Sequence, residues 1–136
     1  MELFVLKEEV AYLEAQLIGA EGLVRLHTLV ALAWHLRQRD SARALQLADQ
    51  AQALLNLGSA LEQRGLGARL LLLRAEIKLL RADLATAQQW VNSAAQMFED
   101  LQDPLGRGDA FWVEASILWD RCDGGEADKV LALALA

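Results

Sequence analysis

The sequence has few of the residues that form disulfides, interrupt helices or favour β-strands. Its 136 residues include one cysteine and one proline, and β-branched residues are few. The single Cys122 excludes an internal disulfide framework and a cysteine-rich zinc site, and it favours a reducing compartment. Because little proline is present to interrupt helices and few residues favour strands, the sequence predicts an all-α protein.

A basic surface is also missing. The chain has 13 Lys and Arg against 19 Asp and Glu, a net charge of −6 at pH 7. A nucleic-acid binder needs a cationic face to neutralise phosphates, and an anionic membrane surface attracts basic segments. We therefore expect neither nucleic-acid nor membrane binding. A protein or peptide partner that is basic or apolar suits this charge better.

No long apolar run and no secretion signal stand out. Residues 1–9 lack the basic-then-apolar order of a signal peptide, and no apolar run approaches the roughly 18 residues that span a bilayer. These features favour the cytoplasm. The chain stops inside the apolar segment 131–136, whereas solenoid proteins end with a polar capping helix. We therefore expect further residues to follow, or this end to be buried by self-association.

The residues that are abundant are helix formers, chiefly Leu, Ala, Gln and Arg. Apolar residues recur at three- and four-residue intervals, which predicts helices with one buried side. Seven helices are expected, over residues 3–17, 23–39, 41–63, 67–81, 84–101, 104–122 and 124–136.

Aspartates and glycines set the predicted ends of these helices. Three aspartates are expected to cap the helices that follow them: Asp40, Asp83 and Asp103. Gly65 and Gly67 are expected to end the third helix and separate it from the fourth. Asp103-Pro104 marks the start of the sixth helix, and because Gly106 and Gly108 weaken its first turn, a start near Asp109 is the alternative.

An internal repeat runs through the chain. In three places an Asp lies four residues before an Ala, at Asp40 and Ala44, Asp83 and Ala87, and Asp123 and Ala127. The intervals between these alanines are 43 and 40 residues. Another alanine follows seven residues later each time, at Ala51, Ala94 and Ala134, and the positions twelve residues upstream are Leu32, Ala75 and Ala115. This periodicity is typical of stacked helix pairs, where small residues let two backbones approach.

The pattern resembles the tetratricopeptide repeat, which has small residues at these places and an acidic residue in the turn. The unit around Asp83 matches best, the unit around Asp123 nearly as well, and the first unit departs at Leu32. The 40-residue period exceeds the usual ~34 and is similar to the long variety in bacterial signal-transduction regulators. The resemblance covers residues 21–136. It implies one domain: a right-handed superhelix with an N-terminal helix (1–20) and three repeats, at about 21–65, 66–103 and 104–136.

The same resemblance implies a protein-interaction scaffold, the N-terminal regulatory module of a larger bacterial signalling or transcription-regulatory protein. In this family the first helix of each pair lines a concave groove. The residues at those places are Arg37, Arg69, Glu76, Leu79, Asp109, Trp112, Ser116 and Trp119. Trp112 and Trp119 would form an aromatic shelf for a partner; the alternative is that both pack between helix pairs.

Other functions have weaker support. A small-molecule sensor would bind its ligand in the groove, in a pocket enclosed by Leu79, Trp112 and Trp119. An enzyme would need convergent acids, bases or nucleophiles, and no such set is visible; no cofactor or metal is predicted. His27 and His35 lie eight residues apart, whereas metal-binding pairs on helices lie four apart. Self-association as a homodimer is assigned to the last helix, through Val130, Leu131, Leu133 and Leu135.

Overall fold

The computed structural model of the chain describes the backbone of residues 2–121 and 124–135, and the side chains of residues 7–121 and 129–135. The described residues contain no strand, which confirms the all-α class. Within this described part of the chain, seven α-helices follow one another: α1 Glu2–Gly19, α2 Gly22–Leu36, α3 Ser41–Leu54, α4 Ala60–Leu80, α5 Leu84–Asp100, α6 Pro104–Asp120 and α7 Gly124–Leu135. A 3-10 turn, Leu55–Leu57, comes directly after α3.

The three predicted aspartate caps within the described residues are confirmed. Each carboxylate accepts a hydrogen bond from the backbone N–H three residues on: Asp40 from Arg43 (3.2 Å), Asp83 from Thr86 (3.2 Å) and Asp103 from Gly106 (3.0 Å). These bonds satisfy an amide that the helix itself leaves without an acceptor. Asp123 and Cys122 lie outside the described residues.

The turns before α5 and α6 share one backbone conformation. Ala82 and Gln102 have positive φ angles of 65° and 55°. The next residue in each turn donates its N–H five residues back, from Asp83 to the Lys78 carbonyl (2.9 Å) and from Asp103 to the Phe98 carbonyl (3.0 Å). Both turns are therefore Schellman motifs, in which a left-handed residue ends one helix just before an aspartate caps the next.

The predicted break at Gly65 and Gly67 is wrong. α3 ends at Leu54, and α4 begins at Ala60 and continues through both glycines to Leu80. The start is fixed by Ser59 and Glu62. The Glu62 amide donates to the Ser59 hydroxyl (3.2 Å), and the Ser59 amide donates to the Glu62 carboxylate (3.1 Å). This reciprocal capping box begins a helix that two glycines only weaken.

α6 starts at the predicted Asp103-Pro104 pair, and the alternative start near Asp109 is wrong. The helix begins at Pro104, whose fixed φ suits a first helical position, directly after the Asp103 cap. Gly106 is buried in the first turn against the ring of Phe98. Its lack of a side chain is thus a requirement of packing against Phe98.

The chain forms two compact units, Met1–Leu70 and Leu71–Ala136. In the first unit α2 packs between α1 and α3, with Leu26, Leu29 and Leu47 fully buried. In the second, α6 packs between α5 and α7, with Phe98 and Ile117 among its fully buried side chains. Among the described helices, none is both long and apolar enough to cross a membrane. The superhelical arrangement and the repeat boundaries stay predictions, and the boundary at 65–66 falls within α4.

Candidate functional site

One side of α6 carries large side chains that are mostly exposed. Trp112 is 56% exposed and Trp119 is 59% exposed. Seven residues of α-helix return to nearly the same direction, so both indoles lie on one side, about 10 Å apart along the axis. This exposure favours the aromatic shelf over the alternative in which both tryptophans pack between helix pairs.

The same side of α6 holds further predicted groove residues. At 100° per residue, five positions fall within an arc of about 80°: Leu105, Asp109, Trp112, Ser116 and Trp119. We call this set the α6 stripe. Leu105, 72% exposed, was not predicted, although its four-residue spacing from Asp109 would have found it. A buried residue lies on each flank of the stripe, Val113 on one and Ala115 on the other, so packing on both sides limits the direction in which the stripe faces.

The residue between the two tryptophans of the α6 stripe, Ser116, has a small side chain whose hydroxyl already has a hydrogen-bond partner within the helix. The Ser116 hydroxyl donates to the Trp112 carbonyl at 3.0 Å, so the space between the two indoles is bounded by a short side chain that needs no external partner. The cation of this helix, Arg107, lies on the far side and pairs with Glu99 at 2.7 Å. Glu114 also lies opposite the stripe, where burial raises the pKa of its carboxyl. The chemistry of the stripe is therefore aromatic, with a carboxylate at Asp109.

Arg37 and Arg69, the two groove residues of the first unit, cover an indole. Their guanidinium carbons lie 3.7 and 4.5 Å from the centroid of the Trp34 ring. Arg37 also donates to the Trp34 carbonyl at 2.8 Å. Both guanidinium groups are thus held by cation–π contacts within their own unit, which gives Trp34 a structural role.

Two of the predicted groove residues in the second unit are mostly covered. Glu76 is 4% exposed and Leu79 is 7% exposed, so little of either side chain is open to a partner. Asp109 is half-buried and already takes part in an interaction within the fold. Their assignment to a binding groove stays a prediction, and the open surface is concentrated at Trp112 and Trp119.

The last helix also presents apolar side chains. Leu133 is 61% exposed and Leu135 is 85% exposed, whereas Val130 and Leu131 are half-buried. α7 packs against α6, and Leu133 and Leu135 lie about 160° apart around α7, so its exposed apolar surface is on more than one side. This surface is where the predicted self-association would occur.

The histidines do not form a pair. His27 Nε2 lies 2.9 Å from Glu62 Oε2, and His35 is half-buried elsewhere on α2. Among the described residues, no group of three or more His, Cys, Asp or Glu side chains could hold a metal ion. The contact between His27 and Glu62 was not predicted. Its sequence signal is the Ser59-x-x-Glu62 pattern, which places Glu62 at the start of α4.

Comparison with known proteins gives no relative: no protein-family model, no curated protein and no solved structure matches the chain. The tetratricopeptide resemblance therefore rests on the repeated aspartates and alanines alone.

Proposed function

We propose that this chain is a protein-interaction module of the long tetratricopeptide type, and that its partner docks on the α6 stripe. The observation that carries the proposal is the exposure of Trp112 and Trp119 on one side of a helix whose flanks are packed. Aromatic anchors of this kind dominate the binding energy of protein interfaces. The tetratricopeptide resemblance supports a role as the regulatory module of a larger bacterial signalling or transcription-regulatory protein, with binding rather than catalysis as its activity.

The charge distribution favours a basic or apolar partner at this surface. Residues 71–136 contain six Lys and Arg against eleven Asp and Glu, whereas residues 1–70 contain seven against eight. Most of the net negative charge thus belongs to the unit that carries the α6 stripe. Arg107 and Arg121 lie about 140° and about 180° around the helix from Trp112, on the side away from the α6 stripe. A partner with Lys or Arg beside apolar side chains would meet complementary charge.

A photo-crosslinking experiment tests this proposal. Benzoylphenylalanine in place of Trp112 should capture one discrete protein from a lysate of the source cells, and the same residue in place of Arg107 is the matched control on the opposite side of α6. Trp119→Ala should remove the cross-link, since an anchor of this size contributes about 2 kcal/mol or more. The same bands from both positions would contradict the proposal.

Thermal melts distinguish binding from packing. Since both indoles are mostly exposed, Trp112→Ala and Trp119→Ala should leave the melting temperature nearly unchanged. A loss of ~3–5 kcal/mol of stability, typical of deleting a buried tryptophan, would instead return both residues to a structural role.

A small-molecule sensor with its ligand in the groove is the alternative function. It requires Leu79, Trp112 and Trp119 to enclose a pocket. Leu79 is 7% exposed while both indoles are open, an arrangement that favours a docking surface over an enclosed pocket.

We also propose that α7 mediates a homodimer through Leu133 and Leu135. Exposed leucines on a terminal helix favour burial against a second apolar surface. Light scattering should give twice the mass of the 15.0 kDa chain, and Leu135→Lys should give a monomer. A monomer of the unsubstituted protein at high concentration would contradict the dimer.

A further inference from the structure

The first unit holds a cleft of about 400 Å³ that the interaction function does not use. It lies where α1, the first half of α2 and the start of α4 meet. Leu13 of α1 and Val24, Thr28 and Ala31 of α2 form its apolar surface. Its volume is within the range of small-molecule sites, which are mainly apolar with a few placed polar groups.

Hydrogen bonds at the rim of the cleft hold its polar side chains in position. His27 Nε2 lies 2.9 Å from Glu62 Oε2, and Glu62 Oε1 accepts a hydrogen bond from the Ser59 amide at 3.1 Å. The hydrogen bond with His27 and then those with Ser59 lower the pKa of Glu62, so the carboxylate stays charged at neutral pH. The Thr28 hydroxyl is already satisfied, since it donates to the Val24 carbonyl at 2.7 Å.

The charge of the cleft selects among ligands. No Lys or Arg is among the described residues that line it, so an anionic ligand would find no permanent cation there. A ligand ammonium could donate to Glu62 beside the imidazole, and charge-assisted hydrogen bonds of this kind are stronger than neutral ones. An apolar body of modest size would then lie against Leu13, Val24 and Ala31.

We infer that this cleft binds a small amphipathic amine, with the ammonium on Glu62 and the apolar body between α1 and α2. The inference is independent of the α6 stripe, which belongs to the other unit. It requires only the cavity, its apolar lining and the carboxylate at its rim.

Titration of the ¹⁵N-labelled chain with 2-phenylethylamine, followed by ¹H–¹⁵N correlation spectra up to about 10 mM ligand, tests the inference. Two probes of nearly equal shape are the comparison: 2-phenylethanol, which is neutral, and 3-phenylpropionate, which is anionic. The amine should shift amide signals of residues 13–16 and 24–31 in a saturable way. The alcohol should bind about tenfold more weakly, which is the usual effect of losing a charged hydrogen bond, and the carboxylate should not bind.

Glu62→Gln is the decisive variant. Glutamine can also reach back to the Ser59 amide in a capping box, so α4 should still begin at Ala60 while the charge is removed. Amine affinity should fall about tenfold and alcohol affinity should stay the same. Glu9→Gln, an exposed carboxylate of α1 outside the cleft, is the matched control and should change neither.

Ala31→Leu keeps the carboxylate but occupies the cleft, and it should abolish binding of both the amine and the alcohol. Equal affinity for the amine and the carboxylate probes, full amine binding by Glu62→Gln, or no saturable shifts at all would each overturn the inference. Binding of a lysine-containing peptide without binding of the free amine would overturn it too, because the cleft would then be a peptide site.

Discussion

Gly65 in α4 and Gly106 in α6 have the same appearance in the sequence and opposite roles in the fold. Each is followed two residues later by another glycine, and each lies inside a helix. A β-carbon at Gly65 would meet no atom within 4 Å, whereas one at Gly106 would overlap Cδ1 of the Phe98 ring. One glycine is required by a neighbouring ring, and the other weakens its helix without a packing reason.

The comparison shows why a glycine pair is an ambiguous signal. Glycine lowers helix stability wherever it occurs in a helix interior, but tertiary contacts decide whether the position tolerates anything larger. Phe98 is 1% exposed and lies on the buried side of α5. The close approach of α5 and α6 at this ring therefore depends on an absent side chain.

Gly106→Ala should have the largest effect. Its β-carbon would overlap the Phe98 ring at three carbons, Cδ1, Cε1 and Cγ, and a fully buried ring has little room to move. We expect a loss of about 3 kcal/mol or more of unfolding free energy, the upper range of overpacking, measured by urea denaturation.

Two controls sharpen this prediction. Gly108→Ala, two residues along the same helix, would meet only the Ala134 carbonyl oxygen, at 3.9 Å, and should cost little. Phe98→Leu combined with Gly106→Ala should lose less than the sum of the two single substitutions, since the pair is in contact. Additive losses would mean that the ring does not determine the need for glycine.

The local signals at helix starts were readable from the sequence, and the packing around them was not. Asp40, Asp83 and Asp103 were predicted as caps because the cap bonds to an amide three residues on. The capping box of Ser59 and Glu62 is an equally local signal, and it outweighs the helix break that Gly65 and Gly67 predict.

The sequence predicts which candidate residues share a side of α6, but it does not predict which of them are exposed. Spacing places Trp112 and Trp119 on one side of α6, but the helices beside it determine that they are exposed while Leu79 is buried. The covering of Trp34 depends on Arg69, 35 residues away in the sequence. Local patterns cannot reveal contacts of that separation.

Ala94→Leu should have the next largest effect. It tests whether a buried alanine tolerates added side-chain bulk as poorly as Gly106 does. Ala87 and Ala94 are 0% exposed on the packed side of α5. Extra methylenes there should cost about 1–3 kcal/mol, measured by the same denaturation. Ala85→Leu, on the exposed side of the same helix, should cost much less, and equal losses would remove the repeat register that these alanines define.

Ala82→Gly should stabilise the protein, which reverses the usual effect of glycine. Ala82 is exposed and held at a φ of 65°, a left-handed conformation that costs a residue with a β-carbon about 1 kcal/mol or more. Glycine is the residue that Schellman turns prefer there, so the melting temperature should rise. Ala85→Gly, at the exposed second position of the next helix, should lower it slightly, because glycine is a poorer helix former than alanine. A fall in both variants would mean that the left-handed turn is not strained.

Gly65→Ala should have the smallest effect, a gain of about 0.5–1 kcal/mol in unfolding free energy. The added methyl group enters open space within an established helix, so it improves helix propensity without a packing cost. Gly22→Ala is the informative control because it also meets no atom within 4 Å, but its φ is +62°. There the same substitution should destabilise, since a β-carbon strains a left-handed backbone. Opposite signs in two equally open positions would show that backbone conformation alone separates them. If Gly65→Ala destabilises as well, α4 must be interrupted at Gly65, and the continuous helix that begins at the Ser59–Glu62 capping box would be wrong.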